Sequence, residues 1–160
     1  VISLSESAQN QQQWSAIQRV VDNLLRPTRQ QLQPTQAAIR DGFAENFDSE
    51  SAGGQPWEQL ALSTVIERVL LGFPGTHPIL QRTGRYRSSF TSVGGEHISD
   101  IDYQSGVVSL FEGSRDERVA ELELGSGKMP ARPVLEMSHH SIDAIGSAIN
   151  EMINEILNAR

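Results

Sequence analysis

Three short clusters hold the residue types from which chemistry is made. His97, Asp100 and Asp102 form the first, a donor set of the kind that binds divalent cations. In an extended chain Asp100 and Asp102 share one face while His97 and Asp102 fall on opposite ones, and no second histidine stands near in sequence. The set is therefore a poor metal site. His139 and His140 are adjacent, and neighbours on a helix point about 100° apart, so they cannot chelate one ion together. Gly125-Ser126-Gly127-Lys128 lacks the spacing of a phosphate loop and reads as a turn after a strand. Ser92-Val93-Gly94-Gly95 lacks the Gly-x-Ser-x-Gly pattern of a nucleophile elbow. The expectation is a non-enzyme, with no catalytic residue, cofactor or bound metal; a metal-dependent hydrolase built on His97, Asp100 and Asp102 is the remote alternative.

Charge is more unevenly placed than these motifs. Arg82, Arg85 and Arg87 stand together without a carboxylate between them. Eight acids (Glu96, Asp100, Asp102, Glu112, Asp116, Glu117, Glu121, Glu123) then face only Arg115 and Arg118, so −6 of the net −7 lies between residues 96 and 123. An acidic total argues against a dedicated nucleic-acid binder, which needs a basic footprint. With no cysteine in 160 residues, disulfide scaffolds, thiolate metal sites and thiol nucleophiles are excluded. No apolar run approaches the roughly 18–20 residues that cross a bilayer, and the first residues lack the basic start of a signal peptide. A soluble, intracellular protein without membrane contact is expected.

The elements that must position these residues follow from periodicity. Residues 1–10 are polar and read as a flexible arm. Residues 11–90 read as mainly helical. Trp14, Ile17, Val21 and Leu24 mark a first stripe ended by Pro27, and Ile39, Phe43 and Phe47 a second helix with Pro34 near its first turn. Ser63 caps a third carrying Val65, Ile66, Val69 and Leu70, and Thr83 a short one with Tyr86 and Phe90 on one side. Residues 91–137 form a strand block. Ile101 and Tyr103 lead through a Gln104-Ser105-Gly106 turn to Val107–Phe111, and Ala120, Leu122 and Leu124 alternate with Glu121 and Glu123 as a half-buried strand. Pro133 to Met137 add a short edge piece. Residues 138–160 carry the cleanest amphipathic pattern, from Ile142 to Ile156. The class is α+β in a single domain: N-terminal helices, a central antiparallel sheet of about four strands, and a long C-terminal helix.

Three stretches are too particular for a bland core: Trp57-Glu58-Gln59-Leu60 leading to Thr64, Ile79-Leu80-Gln81-Arg82-Thr83-Gly84 leading to Ser88, and Pro130-Ala131-Arg132-Pro133-Val134-Leu135. In order and spacing they resemble the phage virion-morphogenesis family, the tail completion or neck proteins of tailed phages that include the G protein of Mu-like phages. The resemblance runs from about Phe43 to Leu157. It departs at Glu123, where the family has His, at Val134, where it has an aromatic residue, at Tyr86, where it has Leu, and at Arg68, to which the basic residue past the Thr-containing helix start is displaced.

What the resemblance implies is a structural virion protein of the neck, in tail completion or head–tail joining. It would form a ring of about six copies through which DNA passes without specific binding, with neighbouring neck, connector or tail proteins as partners. Its place would be the virion, after assembly in the host cytoplasm. A tail-tube terminator is the alternative within this class; a monomeric adaptor or regulatory binding protein is the alternative outside it. Trp57, Arg82, Arg85, Tyr86, Arg87, Lys128 and Arg132 are the candidate subunit or partner interface. Asp100, Asp102, Glu121 and Glu123 are a candidate acidic face toward the lumen, where they would repel DNA and let it slide.

Overall fold

The structure, a computed structural model, describes residues 8–159. The expected arm lies mostly outside the described residues. A first helix, α1 (Ala8–Leu25), ends before Pro27, whose carbonyl accepts a hydrogen bond from Tyr103 Oη at 2.6 Å. The second, α2 (Arg29–Ser49), begins earlier than the sequence reading placed it. Thr28 caps it, accepting from Gln31 N while the Gln31 side chain returns to Thr28 N, a reciprocal capping box. Pro34 consequently lies inside α2 and not in its first turn.

A two-residue pair, β1 (Ser51–Ala52) and β2 (Gln55–Pro56), turns the chain toward Trp57. Then come α3 (Leu62–Leu70) and α4 (Arg85–Thr91). Ser63 does not cap α3: Ala61 occupies that position, with no side-chain bond. Nor does Thr83 cap α4, which starts from Gly84 in the left-handed conformation (φ 73°). Nothing lies within 4 Å of where a Gly84 Cβ would stand, so backbone angle and not crowding calls for glycine there.

The strands β3 (His97–Gln104) and β4 (Val107–Ser114) form an antiparallel hairpin. Ser105 (φ 52°) and Gly106 (φ 80°) make its two-residue turn with both angles positive, as the right-handed strand twist favours. His97, Ser99, Ile101 and Tyr103 occupy the inward face; Asp100 and Asp102, across from Phe111 and Ser109, occupy the outward one. His97 Nε2 and Arg40 Nη1 both reach Glu112 Oε2, at 2.6 and 3.2 Å, and Gln36 Nε2 donates to Ser99 Oγ at 2.9 Å. This buried polar network ties the hairpin to α2. His97 is thus a structural partner of Glu112, turned away from Asp100 and Asp102.

The sheet is smaller than expected. Two separate two-stranded sheets replace the single sheet of about four strands, while the α+β class holds. Residues expected as the third strand form the short helix α5 (Val119–Leu124). Ala, Leu and Glu all favour helix, and over so short a run alternation does not outweigh that preference. Leu122 is buried but Leu124 is 83% exposed, a split incompatible with two residues on one strand face. The 133–137 segment pairs with no strand: Pro133 lacks an N–H, and side chains satisfy its neighbours instead.

Last comes α6 (His139–Asn158), capped by Ser138 Oγ, which accepts from Ser141 N at 3.0 Å; it packs along α2. The core joins Phe43 and Phe47 of α2, Trp57, Ile79, Tyr86 and Phe90 of α4, Leu122 and Val134. Phe47 is its hub, edge-on to Trp57 and Tyr86 with ring centroids 5.8 and 5.9 Å apart.

Candidate functional site

Gly125 stops α5 and reverses the chain. Its φ is 74°, and a Cβ there would lie 3.0 Å from both Ala131 N and Met129 O, so glycine is needed for conformation and for close approach. Ser126 and Met129 then pair across a tight turn that exposes Lys128. The turn expected here is present, although it follows a helix.

Beyond it, the Pro130–Pro133 element is clasped on all sides. Arg132 N donates to Leu122 O at 2.6 Å, and the Arg132 guanidinium donates to Glu58 O (2.9 Å) and Gln59 O (3.1 Å). Trp57 Nε1 donates to Pro133 O at 2.8 Å. Asn46 Nδ2 donates to the carbonyls of Val134 and Glu136, at 2.9 and 2.8 Å. Two of the three motif stretches therefore hold each other directly. Arg132 thus anchors the backbone carbonyls of Glu58 and Gln59.

Glu123 completes the clasp by accepting from Val134 N (2.6 Å) and Leu135 N (3.3 Å). Burial pushes its carboxyl above the ordinary 4.5; the two N–H donors act against this and Glu136 reinforces it. The folded chain thus holds this proton more tightly than the unfolded one. Its contribution to stability is complete below about pH 4.5 and is lost as pH rises through the raised folded value. Glu123→Gln is expected to flatten that part of the profile, read from urea unfolding at a series of pH values; an unchanged slope would contradict the assignment. Asp116 behaves in the opposite sense. Hydrogen bonding to Arg118 holds it below 3.8, so its contribution disappears only under stronger acid.

The clasp forms one wall of a cavity of about 520 Å³. Leu60, Leu80, Leu122 and Met129 give it apolar sides, and Tyr86 of α4 and Arg68 of α3 reach it from opposite elements. Arg82, Lys128 and Arg132 also line it, as does Arg118, stacked over the Tyr86 ring at 5.2 Å. Leu80 holds φ 58°, an uncommon backbone state for a branched side chain, at the cavity edge.

Of the seven candidate interface residues, Arg82, Tyr86, Lys128 and Arg132 meet at this cavity, with Trp57 locking the wall behind it. Arg85 and Arg87 do not. Arg85 pairs with Glu96 over a separate open cleft, and Arg87 Nη1 reaches Asp48 Oδ1 at 2.6 Å and Gln81 Oε1 at 3.0 Å. Arg82 lies 3.4 Å from Glu67 and over the Phe73 ring. The four acidic candidates are split. Asp100 and Asp102 share the outward hairpin face, whereas Glu121 and Glu123, on a helix and not a strand, point to different sides; Glu121 is exposed and Glu123 is bound into the clasp.

Arg68, noted in the sequence only as a displaced basic residue of the family pattern, was not among the candidate site residues. It is 3% exposed, while Leu62, Ile66, Val69 and Leu70 on the same helix are 51–81% exposed. Helix α3 is inside out, its arginine inward and its leucines outward. A lone basic residue within Val65-Ile66-Glu67-Arg68-Val69-Leu70 was the available signal. Among the described residues no helix is long and apolar enough to cross a membrane. No family model, curated protein or solved structure matches the chain.

Proposed function

We propose that this chain is a structural subunit of a tailed-phage neck, acting in tail completion or head–tail joining as one copy of a ring around the DNA channel. The observation that carries this reading is the outward apolar face of α3. Leu62, Ile66, Val69 and Leu70 are each more than half exposed and fall within about 100° of one another around the helix. A contiguous apolar patch of this kind marks a protein contact, because burying it in a partner removes it from water. Trp14, Ile17, Val21 and Leu25 on α1 add a second such stripe, 41–63% exposed. The family resemblance supplies the identity of the assembly, and the meeting of its motif residues at one clasp supports treating them as a unit.

In this reading the outward hairpin face, with Asp100 and Asp102, is turned to the channel, where its negative field keeps DNA phosphates from adhering. The work of the subunit is steric and electrostatic: it closes one end of a joint and leaves an opening.

Locating the chain in particles is the direct test. Presence on tailless capsids supports the neck, presence at the end of isolated tails supports a tail-tube terminator, and absence from both overturns the proposal. The α3 surface has its own prediction. Ile66→Glu combined with Leu70→Glu is expected to leave monomer stability within about 0.5 kcal/mol, as for exposed positions generally. The same variant should reduce incorporation into particles at least tenfold, scored by immunoblot of purified virions.

A further inference from the structure

The clasp cavity is short of negative charge. Among the described residues five cationic side chains line it and no carboxylate does. Arg118 is answered from outside by Asp116 at 2.5 Å and Arg82 by Glu67 at 3.4 Å. Arg68, Lys128 and Arg132 have no carboxylate within ion-pairing distance among the described residues. Arg68 and Arg132 are 3% and 5% exposed, and among the described residues their acceptors are neutral carbonyls: Pro78 O for Arg68, Glu58 O and Gln59 O for Arg132. Buried guanidinium groups are ordinarily paired with an anion, since the desolvation cost is otherwise uncompensated.

Two donors at the same cavity lack an acceptor. Arg68 Nε and Tyr86 Oη are buried and make no hydrogen bond among the described residues, although both side chains line the cavity. Burial pushes the Tyr86 phenol well up, with Glu123 and Asp116 adding to the effect, so it keeps its proton and has a donor to offer. Both groups are donors in need of an acceptor, and beside an unpaired guanidinium a negatively charged acceptor makes the stronger bond.

The walls narrow the choice further. Leu60, Leu80, Leu122 and Met129 are useless to a free phosphate but suit a hydrocarbon chain. We infer that the cavity is a receptor for a segment of a partner protein that inserts an Asp or Glu carboxylate between Arg68, Tyr86 and Lys128, with an adjoining aliphatic side chain against the apolar wall. This site does not depend on the neck reading; it holds for any partner with that chemistry. Charge complementarity selects the occupant, and the cation left free on the rim, Lys128, steers it in.

The test uses the intact chain and three probes: acetyl-Leu-Glu-Leu-amide, its acetyl-Leu-Gln-Leu-amide counterpart, and inorganic phosphate. Binding is followed by calorimetry and by the Nε–H resonance of Arg68. The glutamate peptide is expected to bind at least tenfold more tightly than the glutamine peptide or phosphate and to shift the Arg68 resonance. Lys128→Glu, an exposed change that leaves the fold intact, should weaken the glutamate peptide at least fivefold. Equal binding of the two peptides, phosphate binding as tightly as the glutamate peptide, a stationary Arg68 resonance or indifference to Lys128→Glu would each overturn the inference. None of these results bears on where the chain sits in a particle, so the two proposals fail separately.

Discussion

Phe47→Ala is expected to destabilise the protein by about 3–5 kcal/mol, the usual cost of deleting a fully buried aromatic ring. Its side chain is wholly inaccessible and meets Trp57, Tyr86 and Phe90 at centroid distances of 5.8, 5.9 and 6.0 Å. Trp57 precedes α3 while Tyr86 and Phe90 sit one turn apart on α4, each fixed by its own packing, so they cannot fully collapse into the space left behind. Against a typical total of about 5–15 kcal/mol, such a loss consumes a large share of the stability of a single domain. Phe47→Leu should cost roughly half as much, because it keeps most of the apolar contact while losing the edge-on ring geometry. Trp14→Ala supplies the contrast. That larger ring is 63% exposed on α1, and its removal should fall within about 0.5 kcal/mol. Urea unfolding of the three variants decides the matter; a Phe47→Ala midpoint near that of Trp14→Ala would refute the hub.

Arg132→Ala should cost about 3 kcal/mol or more, for a different reason. The guanidinium makes two charge-assisted bonds, to Glu58 O and Gln59 O, and each such bond contributes about 1.5–3 kcal/mol when buried. Truncation also leaves both carbonyls without their donor. Arg132→Lys keeps the charge but offers a point where a fork is needed, so it should recover less than half of the loss. The clasp predicts an accompanying local effect. Trp57 Nε1 bonds to Pro133 O, so its indole N–H should exchange with solvent markedly faster in Arg132→Ala, under conditions where the variant is still folded. Recovery of full stability by Lys would mean that charge alone matters at this position.

The elements legible in the sequence are those whose pattern is long. The apolar spacing in α2 and α6, and the alternation through β3 with its Ser105-Gly106 turn, each recur enough times to fix the period. Residues 119–124 offered one alternation too short to separate strand from helix, and there intrinsic preference prevailed. The segment after Pro130 was misread for another reason. Its hydrogen bonds run to Asn46, Trp57 and Glu123, residues far away in sequence, and no local pattern announces them. The arginines divided on the same principle. Pro130 and Pro133 drew attention to Arg132, but nothing beside Arg68 told that α3 would turn its apolar face to water. Periodicity reports that a helix has two faces and is silent about which of them the protein buries.

The corner at Pro27 has a mechanical consequence. Helix α1, with its 18 residues, is about 27 Å long, against a radius of gyration of about 15 Å for a compact domain of this size. Its base is pinned where Tyr103 holds the Pro27 carbonyl. A rod longer than the body's own radius, pinned at its base and touching α6 over only part of its length, acts as a lever. A rotation of about 10° at that corner carries the far end nearly 5 Å, close to one helical pitch. Trp14, about 16 Å from that corner, would move about 3 Å under the same rotation, so a small change of angle at Pro27 is felt by the exposed ring.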